Sequence, residues 1–482
     1  MTITNGNQWQ ITPVDWAVVA GHALAQRESV WLDSAASATG FGNQWSLVAA
    51  QPVVVLEQWA GQAARLWSGT RLLAESPNFF DLWRVTNRRL GHRSPLPCGL
   101  GPGWIGFVGF EAAGLLERLP APRPEAAGTL LARVALFDCA AVLEHATGRA
   151  WRVAARGVRT AMGLPDPFRD TAPGAADRPA DRLAAATAAC RATFDWPRPA
   201  YEAAVRRAME YIAAGDIYQV NLAQRLTLRP VDGRAFDPLA AYLRLRAANP
   251  APYGALLRWR GGAIASVSPE LFLQLEGDRV RTSPIKGTRP RVGDAARDAA
   301  RQRELLASAK EAAELAMIVD LHRNDLGRVC AYGSVQVTEP RRIEAHPTVF
   351  HTVADITGRL AAGRDGLDLL TACFPAGSIS GVPKIRALEI IRELEPCPRG
   401  AYTGAVGMLG LDGRMIWNVA IRTLQIAGPA ATLYVGGGIV ADSDPAAEYE
   451  ETLAKARGIL RGLEAELPEN PACPMPCALT VR

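Results

Sequence analysis

The sequence has no long apolar run. Nowhere in its 482 residues is there a stretch of the ~18 apolar positions that a membrane-crossing helix needs. The opening MTITNGNQWQITPVDW lacks the basic start and apolar core of an export signal, so none is expected. Cysteine is sparse. Its eight copies are scattered, mostly inside apolar segments such as ALFDCAAVL and LLTACFPAG. That excludes a disulfide framework and points to reduced thiols in the cytoplasm. Cys473 and Cys477, in the tail PACPMPC, have no histidine or further cysteine pair to complete a metal site. Basic runs and cationic stripes interleaved with aromatics are missing too, and 53 basic against 48 acidic residues leave only +5. Neither a nucleic acid nor a membrane is expected as a partner. No repeat occurs at solenoid periods, and no G-x-G-x-x-G dinucleotide fingerprint is found.

About half the residues are apolar and a fifth charged, as in ordinary soluble proteins. The chain is too long for one ordinary core. The reading is an N-terminal subdomain over 1–162, a linker over 163–200 rich in Ala, Pro, Asp and Arg, a second domain over 201–460 and a tail over 461–482. Strand-like runs such as WSLVAAQPVVVLEQW and GWIGFVGF fill the first part. In the second, YEAAVRRAMEYIAAGDI has helical spacing, FLQLEGDRVRTSPI is a hairpin turning at EGD, and RQRELLASAKEAAELAMIVDLHRNDLG is one long helix ending at Gly327. ATLYVGGGIVADSDPAAEYEETLAKARGIL is strand, glycine turn, then helix. Hairpins with interspersed helices favour α+β.

Chemistry concentrates in the second part. Glu311 and Glu314 lie three apart on one predicted helix, Glu448 and Glu451 on another, so each pair shares a helical face. Two explanations stand: a solvated face, or a seat for a hard divalent ion such as magnesium, which takes oxygen ligands. In VDLHRNDLGR (319–328), Asp320, Arg323, Asn324, Asp325 and Arg328 form either a capping network or a catalytic group. Gly436, Gly437 and Gly438 follow a strand and offer backbone N–H groups to an anion, or serve a tight bend. Arg422 is a guanidinium in an apolar strand and needs an anionic partner, a ligand carboxylate or an internal glutamate. Lys286 sits alone between Ile285 and Gly287 in TSPIKGTRPR, either a solvated loop amine or a nucleophile.

The ordered segments SPIKGTRPR, AKEAAELAMIVDLHRNDLGRV, FPAGSISGVPKIRALEII, GAYTGAVGML, AIRTLQI and VGGGIVADSDPAAEYEETLAKA resemble the chorismate-utilising enzymes. That family includes the large subunits of anthranilate and aminodeoxychorismate synthases and the isochorismate and salicylate synthases. The resemblance is strong from about Tyr201 to Leu460 and weaker before it. It implies a large α/β sandwich of two facing, mainly antiparallel sheets with outer helices. It further implies Glu311, Glu314, Glu448 and Glu451 around a Mg2+ ion that holds the ring carboxylate of chorismate. Gly436, Gly437 and Arg422 would hold the side-chain carboxylate, with Tyr402 and Lys455 nearby. His351 would be the acid/base histidine, although its segment HTVAD departs from the pattern HxVST at Ala354 and Asp355. Ser378 would place a hydroxyl near the ring.

Two positions discriminate within the family. Where isochorismate and salicylate synthases carry a water-activating lysine, this chain has Gln219. An amide is no base at neutral pH, so ammonia is the expected nucleophile. Where anthranilate synthases usually have alanine, in PIAGTR, stands Lys286. This resembles aminodeoxychorismate synthases, in which such a lysine attacks the ring covalently. Its amine must be neutral, and Arg289 and Arg291 are candidates for the charge that lowers its pKa. Glu314 is the choice to pass a proton to the departing hydroxyl. The expectation is an aminodeoxychorismate synthase large subunit serving 4-aminobenzoate and folate synthesis. Its alternatives are an anthranilate synthase component I and a non-catalytic scaffold. No cysteine stands in a G-x-C-x-G elbow with a downstream histidine, so ammonia implies a separate glutaminase subunit as partner. The segments around Ser34, Asn221 and Pro252–Tyr253 resemble the pieces of an amino-acid pocket, which is regulatory, structural, or filled.

Overall fold

The computed structural model describes residues 3–5, 8–34, 45–91, 93–96, 99–120, 128–158, 167–168 and 189–465. Most of the predicted linker and nearly all of the predicted tail, with Cys473 and Cys477, lie outside the described residues. Within the linker stretch, Cys190–Phe194 forms a strand paired with Gln219–Pro230.

Two large antiparallel sheets face one another, as the sequence implied. Each takes strands from both ends of the chain. The first runs through strands of residues 3–155, ending at Ser29–Asp33, and continues into Tyr253–Trp259 and the strands beyond. The second begins at the edge strand Ile285–Pro290 and runs to Ala405–Gly410. It continues into Gly103–Val108 and ends at Arg71–Ser76. Neither sheet is interrupted where the two parts of the chain meet.

Successive side chains of a strand point to opposite faces. In Trp45–Ala50, Leu47 and Ala49 join the core between the sheets, while Val48 and Ala50 face a second core on the outer side. Because both faces are buried, such strands read as unbroken apolar runs. The central core includes Trp83, Trp104 and Trp417, whose rings meet edge to face at 6.2 and 6.1 Å. The outer core lies under the helices Trp16–Ala25, Pro238–Ala248 and Pro445–Leu460. Among the described residues no helix is long and apolar enough to cross a membrane.

The long helix expected over 301–327 is two. Ser308 ends Ala295–Ala307 and its hydroxyl caps Ala309–Gly327, accepting from the Glu311 amide. A Ser followed three residues later by Glu is a helix-start pattern, which the apolar periodicity across it concealed. The break puts Glu311 in the first turn of a new helix. Asp444 caps the other glutamate helix, Pro445–Leu460, with Pro445 at a first-turn position where its missing N–H costs nothing.

Candidate active site

Lys286 lies on the edge strand Ile285–Pro290, opposite Thr352 of Val349–Arg359. The Thr352 hydroxyl donates to the Lys286 carbonyl and fixes the backbone there. At Gly287 the ladder shifts register and φ is +73°. That left-handed φ favours glycine, and a Cβ there would also press on the ends of Glu311 and Leu305 at 2.7 and 2.9 Å. The Lys286 amine reaches toward the first sheet, 3.6 Å from where a Cβ on Gly438 would stand, and the Gln219 amide nitrogen crowds the same point. Burial pulls the amine below its ordinary pKa. Lys455 acts in the same direction, against Glu314, Glu270 and Glu311. Arg289 and Arg291 do not supply this charge. Arg289 pairs with Glu304 and Glu311 at 2.8 and 3.3 Å, and Arg291 with Asp298 at 3.5 Å.

The two helices bring the four glutamates toward this amine. Burial raises the Glu314 and Glu448 carboxyls, and the charge of Glu451 raises both further. Glu451 itself is held down by Lys455, 2.7 Å away, and Glu448 accepts from Ser443 at 2.6 Å. Among the described residues, no three His, Cys, Asp or Glu form a ready-made metal group. Lys455 and Arg289 instead occupy two of the carboxylates. The donor set nevertheless fits a hard cation, being all carboxylate with two members burdened by like charge.

The glycines do not form a turn. Gly436, Gly437 and Gly438 lie within the strand Ala430–Ile439, paired with Ala223, Leu222 and Asn221. Their role is to be bare. A Cβ on Gly437 would stand 3.1 Å from Glu448, 3.8 Å from Glu451 and 3.9 Å from the Lys455 amine. Lys455 also donates to the Gly436 carbonyl at 2.7 Å.

Arg422 sits between two strands with φ +50°, a left-handed backbone costing an L-residue about 1 kcal/mol. Burial pulls its pKa down to about 10. Among the described residues it pairs with no carboxylate, so the internal ion pair is not formed. Among the described residues its side-chain bond is a long 3.4 Å contact to His351 Nε2. A guanidinium only donates, so Nε2 accepts, and Nδ1 carries the proton toward Thr288 Oγ1 at 2.9 Å. Burial, Arg422 and His346 hold His351 neutral, well below its usual pKa. Tyr402 stacks on Tyr434 at 5.3 Å and packs with Ile421, next to Arg422.

Ser378 donates to Glu270 at 2.5 Å. Glu270 is a residue the sequence reading missed. It is buried, its pKa is pushed up to about 7 by desolvation, and it feels the Lys286 charge. Its signal was a single carboxylate heading the apolar strand in SPELFLQL, a burial that is costly without a purpose. A second missed signal is lysine scarcity: the chain has only four, Lys286, Lys310, Lys384 and Lys455. Three of them act on the carboxylates just described. The fourth, Lys384, bonds Asp325 at 2.6 Å and the Cys373 carbonyl at 2.9 Å, so Asp325 belongs to a structural network.

Ser34, Pro252 and Tyr253 line a separate cavity of about 140 Å³, with Trp45, Met408 and Asn418. Asn221 does not join them. It pairs opposite Gly438, and its carbonyl accepts from Arg399.

The profile of the chorismate binding enzyme family matches residues 28–461. The chain belongs to that family. It is 45% identical over 389 residues to anthranilate synthase component 1 of Streptomyces coelicolor, covering 76% of this chain and 74% of the relative. It is 37% identical over 444 residues to aminodeoxychorismate synthase component 1 of Klebsiella aerogenes, covering 88% and 91%. Among solved structures, anthranilate synthase component I from Streptococcus pneumoniae superposes with a TM-score of 0.72 at 28% identity, covering 88% of this chain and 93% of that one. As a family member this is an enzyme acting on chorismate, and its relatives carry both names.

Proposed function

We propose that the protein is the large subunit of an aminodeoxychorismate synthase, forming 4-amino-4-deoxychorismate from chorismate and ammonia for 4-aminobenzoate and folate synthesis. The observation that carries this reading is the Lys286 amine, desolvated among the glutamates and aimed at the floor made by Gly438 and Gln219. Lys286 attacks ring carbon C2 as the C4 hydroxyl leaves as water with a transferred proton. Ammonia then adds at C4, and the lysine nitrogen leaves C2. A covalent nucleophile divides one difficult displacement into two.

We assign the transferred proton to Glu270 rather than Glu314. Glu270 titrates near 7 and is bonded to Ser378, whereas Glu314 belongs to the four carboxylates that would hold the cation. A neutral amine and a protonated Glu270 favour one another, because the charge of either stabilises the charge of the other. Arg422, lacking an anion, would take the side-chain carboxylate of chorismate above Gly436 and Gly437, with Tyr402 and Lys455 at its edge. Neutral His351 would orient Arg422 and can accept a proton at Nε2. Glu311, Glu314, Glu448 and Glu451 would hold a magnesium ion, which supplies positive charge against the ring carboxylate. A separate glutaminase subunit would supply ammonia.

A second reading, anthranilate synthase, is favoured by the Streptomyces coelicolor relative. Product analysis after incubation with chorismate, magnesium and ammonium separates them. The proposal expects a product that becomes 4-aminobenzoate only after a lyase is added. Fluorescent anthranilate formed directly would replace it with the second reading, and no turnover would leave a scaffold.

A further inference from the structure

We infer that Asp355 is the positioning residue that holds the Lys286 strand in register. The inference rests on the reading of Lys286 given above. Asp355 is one of the two departures from the HxVST pattern, and its side chain is only 13% exposed. It lies on Val349–Arg359, which pairs along one side with both Arg279–Ser283 and Ile285–Pro290. Between those two strands the chain passes through Pro284. Proline has no N–H to add to the ladder; the Ala354 amide donates to the Pro284 carbonyl at 3.2 Å, and beyond it the Ile285 amide donates to the Glu270 carboxylate. Asp355 stands beside this joint, with Ile356 opposite Thr282 and Val353 opposite Ile285.

Its carboxylate supplies what the joint lacks. Oδ1 accepts from the Ser283 hydroxyl at 2.6 Å and from Arg281 at 2.9 Å, while Oδ2 accepts from Arg342 at 3.1 Å. Arg281 comes from the strand before the joint and Arg342 from Gln336–Ala345, on the other side of Val349–Arg359. One anion therefore ties three strands together, three residues before Lys286. The tie continues: Arg342 bonds Glu344 at 2.9 Å, Glu344 pairs with His346 at 3.3 Å, and the His346 ring packs edge-on to His351 at 5.2 Å. Removing the charge would leave Arg281 and Arg342 without their shared anion and free Ser283 to rotate. The Lys286 backbone would then keep the Thr352 bond, the short ladder and the amide bonds at Pro284 and Ile285, but lose the side-chain tie across the three strands.

The test compares Asp355→Asn and Asp355→Thr with the wild-type chain, loaded with magnesium and ammonium. A misplaced nucleophile lowers turnover more than substrate binding, so kcat for C4 amination should fall about 10- to 100-fold with KM for chorismate within about threefold. With only four lysines, reductive 13C-methylation gives a spectrum in which the Lys286 signal can be followed alone. That signal should shift in both variants while the Lys384 signal stays. An unshifted Lys286 signal with kcat within about threefold of wild type would overturn the inference. If both variants fail to fold, Ser283→Ala removes one bond and leaves the arginines paired. A smaller loss of kcat at constant KM supports the role, and unchanged kcat contradicts it. Should the wild-type protein make no C4-amino product, the reading of Lys286 fails, and the Lys286 resonance still decides whether Asp355 places that strand.

Discussion

A carboxyl that loses its proton near neutrality can serve as an acid there, and Glu270 has that property because burial disfavours its charge. Its protonated form is depleted as pH rises through about 7, so an acid-dependent step slows on the alkaline side. On the acid side the limit is Lys286, whose depressed pKa keeps a neutral fraction available. Glu270→Gln should lower kcat about 10²- to 10⁴-fold and remove the alkaline limb near 7, as measured by the pH dependence of kcat. An alkaline limb that survives the substitution would move the acid role elsewhere. At this scale the sequence was partly legible. Lys286 and the glutamate pairs stood out because their neighbours formed recognisable segments. Glu270 did not, since a single carboxylate before an apolar run has no periodic partner. Arg289 and Arg291 misled because their charges are taken up by Glu304, Glu311 and Asp298, partners that only the fold brings beside them.

Two elements, the glycine strand and the broken helix, set the floor and one wall of the site. A Cβ on Gly436 would meet the Leu222 carbonyl of the neighbouring strand at 2.6 Å, and backbone cannot move aside as a side chain can. Gly436→Ala should therefore destabilise the fold by about 1–3 kcal/mol in denaturant unfolding. Gly437→Ala meets only the ends of Glu448, Glu451 and Lys455. It should leave stability nearly unchanged and raise KM for chorismate. Equal stability losses in the two variants would contradict this division of labour. Three consecutive glycines suggest a turn when read locally. They lie in a strand because the partner Gln219–Pro230 supplies a full ladder, a non-local fact that no window of sequence contains. The break at Ser308 was legible in principle, through its cap, but the apolar periodicity on both sides outweighed it.

For the molecule as a whole, the sandwich was implied by the ordered segments, whereas the interleaving of its sheets was not. Sequence order separates residues 3–158 from 189–465, yet both sheets cross between them at Ser29–Asp33 against Tyr253–Trp259 and at Gly103–Val108 against Ala405–Gly410. The Trp83–Trp104–Trp417 cluster spans the same seam. A fragment starting at Tyr201 would expose two long strand edges and half of the central core. It should show no cooperative thermal transition, although it holds nearly every residue of the proposed site. A fragment that unfolds cooperatively and turns over chorismate would show the N-terminal strands to be dispensable. In the intact chain, Trp417→Ala should cost about 3–5 kcal/mol by chemical denaturation.

The central claim is tested most directly by mass spectrometry of the protein, acid-quenched during turnover with chorismate and magnesium and then digested. The account predicts a covalent adduct, chorismate less water, on the peptide that contains Lys286, absent from Lys286→Ala, which should also make no C4-amino product. C4 amination at the wild-type rate by Lys286→Ala would contradict it.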